Sequence, residues 1–190
     1  MKVIGITGNI GSGKTAVAKI IAEKGYKIIS SDILAKQLMN ESPDIRKKLI
    51  EKFGEETYSS ENVINTDFIS KLVYGDSTAC RENLKELNRI VHPEVLDSIS
   101  KKIEEYEIEG NDICFVESAL IYEANIDEAF DYIIVVHSDA ELSYSRLKNS
   151  RNLTSEKFNS IEKEQISREE KKGLADFIII NDSDFEHLEK

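Results

Sequence analysis

The eight residues Gly8-Asn9-Ile10-Gly11-Ser12-Gly13-Lys14-Thr15 constrain this chain more than any other feature. They fit G-x-x-x-x-G-K-[ST], in which each position has a physical task. Glycines let the backbone curl until successive N–H groups point inward around a β-phosphate. Lys14 is the residue expected to reach the β/γ oxygens, and the Thr15 hydroxyl is the expected Mg²⁺ ligand. The helix that opens at the loop's end adds its positive dipole end, so residues 8–16, Ala16 included, form the expected ATP cradle. The required surroundings are present, with an apolar β-branched run at Lys2–Thr7 before the loop and a helical pattern over Ala16–Lys24 after it, stopped by Gly25.

Such a loop demands a parallel sheet, and the chain supplies one. Near-continuous apolar runs at Lys2–Thr7, Tyr26–Ser30, Asp112–Glu117, Tyr132–His137 and Phe177–Asn181 read as strands covered on both faces. Helical patterns alternate with them, including Ile33–Met39 and Pro43–Phe53. The expected fold is therefore α/β: a P-loop NTPase-type three-layer fold, with a five-stranded parallel sheet and helices on both faces. The interval between strands two and three is about eighty residues where a βα unit needs only about 30, and its patterns at Asp67–Tyr74, Thr78–Ile90 and Pro93–Glu109 are helical. We therefore expect one kinase domain over 1–190, with core segments 1–39, 110–140 and 170–190. A helical substrate insertion over about 40–109 and a helical lid over about 141–169, broken near Arg151-Asn152-Leu153-Thr154, complete it.

Charge narrows the partners. With 36 Asp+Glu against 25 Lys+Arg the net charge is −11, which disfavours nucleic acid as a partner. No apolar run approaches the roughly 20 residues that span a bilayer, so no membrane partner is expected. Cys80 and Cys114 have no metal-ligand spacing and fit a reducing, cytoplasmic compartment. The Asn-Lys-x-Asp signature of guanine recognition and an Asp-x-x-Gly switch after strand three are both missing, since strand three ends Glu117-Ser118-Ala119. A phosphoryl-transfer enzyme acting on a small molecule remains, and it needs one group to take the attacking hydroxyl's proton. Asp32, closing Ile28-Ile29-Ser30-Ser31-Asp32 at the end of strand two, is the best-placed candidate. On position alone, Asp32 or Ser31 serves equally well as a helix cap.

The phosphate loop together with Ile29-Ser30-Ser31-Asp32-Ile33-Leu34-Ala35-Lys36 resembles dephospho-CoA kinase. Further stretches agree in order and spacing: Phe53-Gly54, Val73-Tyr74-Gly75-Asp76, Leu87-Asn88-Arg89-Ile90-Val91-His92-Pro93, Leu120-Ile121-Tyr122-Glu123, and then Gln165, Ala175-Asp176 and Asn181. The resemblance implies ATP and dephospho-CoA as substrates, Mg²⁺ as cofactor, and phosphorylation of the ribose 3′-hydroxyl, with another small-metabolite or nucleoside monophosphate kinase as the alternative. It implies Asp32 as general base, Lys14 and Arg146 as catalytic cations, Arg146 and Arg151 on the ATP phosphates, and Asp32, Asn88, His92 and Tyr122 on the acceptor. Glu117 stands where the family commonly has Asp, and a carboxylate ending an apolar strand beside the phosphate loop is placed to organise metal-bound water, its other reading being a partner for the lid arginines. Pro93 suits the first turn of a new helix, which makes His92 a cap-side neighbour in the plainer reading. Ser30, Thr66 and Ser150 depart from the family's usual residues at their positions. A monomer, with at most weak self-association, is expected.

Overall fold

The computed structural model describes residues 1–75, 77–183 and 188, without the side chain of Arg151; Asp76 of the Val73–Asp76 landmark lies outside the described residues. Strands β1 (Lys2–Thr7), β2 (Lys27–Ser30), β3 (Ile113–Glu117), β4 (Tyr132–His137) and β5 (Phe177–Ile180) form one parallel sheet in the order β2-β3-β1-β4-β5. The helices are α1 (Lys14–Glu23), α2 (Ser31–Glu41), α3 (Pro43–Phe53), α4 (Thr66–Val73), α5 (Thr78–Ile108), α6 (Ala140–Arg151), α7 (Ser155–Lys163) and α8 (Arg168–Leu174). The chain divides into two compact units, residues 1–30 with 102–190 and residues 31–101.

In the first unit, side-chain alternation along the strands fixes two cores. Ile6, Phe115 and Val136 pack with Val17 and Ala18 of α1 on one face. Ile121, Ile133 and Val135 gather on the other, with Phe130 and Ala175 against them. The register pairs Ile4 with Phe115 and both Ile6 and Ser30 with Glu117. Glu117 therefore shares the α1 face with Phe115, and the strand pattern itself aims its carboxylate at the helix that follows the phosphate loop.

In the second unit, α3 begins at Pro43 behind Ser42, whose hydroxyl accepts from Ile45 N at 3.4 Å. Asn65 caps α4 in the same way, accepting from Phe68 N at 3.1 Å. Arg46 donates to the carbonyls of Asn40 and Asn62 and lies over the Tyr58 ring, 4.8 Å from its centre. Ile45 and Leu49 are fully buried.

Two expectations are corrected here. The helices expected at Thr78–Ile90 and Pro93–Glu109 are one, because α5 continues through Pro93. A proline removes one N–H and crowds the carbonyl four residues back, which bends a helix but need not end it when buried neighbours such as Val91, Val95 and Ile99 hold both sides. His92 is thus a mid-helix residue, not the neighbour of a cap. The segment expected as a lid carries a second break: Asn152 in the left-handed region and the Thr154 cap mark the expected one, and the Ser167 cap starts α8.

Candidate active site

The site starts from backbone geometry. Gly8, Gly11 and Gly13 take φ of 151°, 76° and 97°, conformations that a Cβ disfavours. Space forbids one as well. A Cβ on Gly8 would stand 2.2 Å from the Val136 carbonyl oxygen, and one on Gly13 would stand 2.1 Å from Asn181 Nδ2. Gly13 is also the cap residue of α1 and offers no side chain to it, so the first turn presents its N–H groups and positive dipole end to the loop. Lys14 closes the loop on itself, donating from Nζ to the carbonyls of Gly8 (2.8 Å) and Asn9 (3.1 Å).

The hydroxyl of Thr15 donates to Oε1 of Glu117 at 2.7 Å. Of the two sequence readings for Glu117, the structure pairs it with the phosphate-loop threonine. Glu117 is buried at the end of β3, so a carboxylate and a hydroxyl meet where the loop enters α1. Two oxygen donors of this kind fit a hard divalent cation such as Mg²⁺.

Around the loop stands a frame from the second half of the chain. Asn181, just past β5, donates from Nδ2 to the Ser12 carbonyl at 2.8 Å. Arg146 of α6 donates to the Asn181 carbonyl (2.8 Å), to Asn181 Oδ1 (3.4 Å) and to the Ser183 carbonyl (2.7 Å). The guanidinium is thereby held on the segment that grips the loop. Ser150 turns its hydroxyl back onto the Arg146 carbonyl at 2.7 Å. Arg151 ends α6, and its side chain lies outside the described residues.

Gln165 accepts from Ile10 N at 2.9 Å and donates to the Ala119 carbonyl at 3.4 Å. Lys171, fully buried, also donates to the Ala119 carbonyl (2.8 Å) and pairs with Glu123 (3.0 Å). Burial lowers the Lys171 ammonium's pKa against the opposing pull of Glu123. Glu123 also accepts from Ile166 N at 2.9 Å. Glu123 and the buried Lys171 thus anchor the Leu120–Glu123 segment to α8 through an ion pair. The Tyr122 hydroxyl donates to the Leu174 carbonyl at 3.0 Å, and burial pushes its pKa up to about 12.

Sequence reasoning missed Lys171 and Arg168. Within Arg168-Glu169-Glu170-Lys171-Lys172 they read as a solvated charged helix. Helical spacing was the available signal, because residues 168, 171 and 175 share a face and Ala175 is apolar.

In the second unit, Asp32 is exposed in the first turn of α2, which begins at Ser31 directly after β2. The Ser31–Asp32 segment is helical rather than a cap preceding the helix. Asn88 and His92 stand four residues apart on α5, hence on one face, both half-buried. Desolvation lowers the His92 pKa, which disfavours the charged ring. Among the described residues no helix is long and apolar enough to cross a membrane.

The sequence profile of the dephospho-CoA kinase family (CoaE) matches residues 2–187. A dephospho-CoA kinase of Salinibacter ruber is 31% identical over 190 residues, spanning 100% of this chain and 94% of that protein. The solved dephospho-CoA kinase from Campylobacter jejuni superposes with a TM-score of 0.68 at 25% identity, covering 100% of this chain and 92% of that one. A shikimate kinase from Acinetobacter baumannii shares the fold, with a TM-score of 0.54 at 16% identity over 100% of this chain and 89% of its own.

Proposed function

Since the chain belongs to the dephospho-CoA kinase family, we propose that residues 8–16 hold ATP and that Asp32 activates the acceptor. The enzyme transfers the γ-phosphoryl group of ATP to the ribose 3′-hydroxyl of dephospho-CoA, giving coenzyme A and ADP in the final step of coenzyme A biosynthesis.

The observation that carries the nucleotide half is the closed loop: three glycines at positive φ, Lys14 on the loop's own carbonyls, and no side chain capping α1. Within residues 8–16, the N–H groups of Gly11, Gly13, Lys14 and Thr15, with the helix dipole, hold the phosphates. Lys14 Nζ, already at the loop, exchanges its carbonyl partners for phosphate oxygens and neutralises the charge that grows on the leaving ADP. Arg146 and Arg151 serve the same phosphates from the lid. Thr15 and Glu117 would hold Mg²⁺, the hydroxyl as ligand and the carboxylate on the metal's bound water. When bound, the ion screens charge on the β- and γ-phosphates.

On the acceptor side, Asp32 accepts the proton of the 3′-hydroxyl as its oxygen bonds to the γ-phosphorus and the bond to the ADP oxygen breaks. Asn88 and His92 on α5, with Tyr122, contact dephospho-CoA; a neutral His92 hydrogen-bonds without adding charge. Residues 1–39, 110–140 and 170–190 act as the core, about 40–109 as the acceptor-binding insertion and about 141–169 as the lid. Closure of the lid excludes water as a competing acceptor. We read the working unit as a monomer in the cytoplasm, where Cys80 and Cys114 stay as free thiols.

Backbone amide chemical shifts during titration with Mg·ADP test the nucleotide assignment. Residues 8–16 are expected to move first and furthest. Saturable shifts centred elsewhere would remove the assignment.

A further inference from the structure

The phosphate loop is rich in glycine, the residue that loses most conformational freedom on ordering, so its shape must be imposed from outside. Three hydrogen bonds to Asn9 and Ile10 do so, and all come from Gln165, Ile166 and Arg168. Asn9 Nδ2 donates to the Ile166 carbonyl (3.0 Å), Ile10 N donates to Gln165 Oε1 (2.9 Å), and Arg168 Nη2 donates to the Ile10 carbonyl (3.1 Å).

Arg168 does more than close that set. Its Nη1 donates to the Ser138 carbonyl (2.6 Å), just past β4, and to Ser143 Oγ (3.0 Å) in α6. Ser143 in turn abuts the loop, for a Cβ on Gly11 would stand 2.8 Å from the Ser143 carbonyl oxygen. Nε and Nη2 grip both carboxylate oxygens of Glu162 in α7, at 2.7 and 2.8 Å. One guanidinium with only 11% of its side chain exposed thus ties together the phosphate loop, the end of β4, α6 and α7. Glu162 supplies the counter-charge that burial of an arginine requires. Only a planar fork of five N–H donors satisfies this arrangement; a lysine ammonium cannot hold a bidentate carboxylate and reach three further acceptors on different segments.

We infer that Arg168 is a positioning residue for the transfer reaction: it touches no reacting atom but sets the loop that receives ATP, and through Glu162 it makes that setting depend on lid helix α7. The inference rests on residues 8–16 being the nucleotide cradle.

Steady-state kinetics and Mg·ADP titration calorimetry on Arg168→Lys test it, at a temperature where the variant's circular dichroism matches the unmodified chain's. The variant should lose about tenfold or more in kcat/KM for ATP, mainly through KM, and about as much in Mg·ADP affinity. Its KM for dephospho-CoA should stay within about twofold. Glu162→Gln keeps the shape of the pair but weakens the grip, and should show the same pattern at about threefold; it carries the test if Arg168→Lys does not fold. ATP KM and Mg·ADP affinity equal to the unmodified chain's would overturn the inference. Equal losses for both substrates would overturn it too, since they mark a general loosening. If the unmodified chain itself fails to bind Mg·ADP, the cradle reading falls, and the inference with it.

Discussion

In the sheet unit, the groups assigned to ATP are held by backbone geometry and by contacts between distant segments. Gly13 has no room for a methyl group, Asn181 reaches back to the Ser12 carbonyl, and Arg146 holds Asn181. In the helical unit, the groups assigned to dephospho-CoA, which Tyr122 of the sheet unit joins, are side chains on helix surfaces. Asp32 is exposed in the first turn of α2, while Asn88 and His92 share a face of α5. A phosphate chain has one shape, which a rigid loop can match before binding. A long acceptor with a nucleotide head and a flexible arm suits a surface whose side chains adjust. The two halves should therefore respond differently to substitution.

The largest effect is expected at Lys14. Lys14→Ala should lower kcat by about 10³-fold or more, because it removes the loop's only cation from the developing charge; turnover near normal in an ADP-release assay would sink the loop's assigned role. Asp32→Asn should lower kcat on the order of 10²-fold while leaving the KM for ATP nearly unchanged, since Asp32 lies outside the nucleotide unit. Parallel losses in kcat and ATP affinity would erase the division of labour. Gly13→Ala should cost about 2 kcal/mol of stability and several degrees in Tm, through backbone strain and the displaced Asn181 amide.

The smallest effect concerns His92. Its folded pKa lies below the unfolded value of about 6.5, so the unfolded chain binds more protons as pH falls through that range. Stability therefore rises with pH across that window and is lost below it. His92→Gln should flatten the dependence by about 1 kcal/mol or less, read from urea midpoints at pH 5 and pH 7. An unchanged slope would place another group behind it.

The same contrast explains what the sequence disclosed. Strands β1 and β4 and helix α3 begin and end where their patterns say, because an apolar run or a Ser-Pro start leaves little freedom. Loop positions were legible for the same reason: each of Gly8, Gly11, Gly13, Lys14 and Thr15 has one physical task. The passage of α5 through Pro93 was not legible, since it depends on the burial of Val91, Val95 and Ile99 on either side. Nor was the clamp of Arg168 and Lys171. A charged run looks solvated until the fold brings Glu162, Glu123 and the Ala119 carbonyl to it. Local rules reveal local tasks, and ion pairs between residues 123 and 171 obey none.

In the proposed reaction the phosphate loop serves transfer to dephospho-CoA. The most direct measurement is ADP release by the purified protein with Mg·ATP, with and without dephospho-CoA, followed by mass and ³¹P analysis of the product. ADP release should depend on dephospho-CoA and be matched mole for mole by coenzyme A carrying its new phosphate on the ribose 3′-oxygen. ADP release indifferent to dephospho-CoA, or faster transfer to a nucleoside monophosphate, would contradict it.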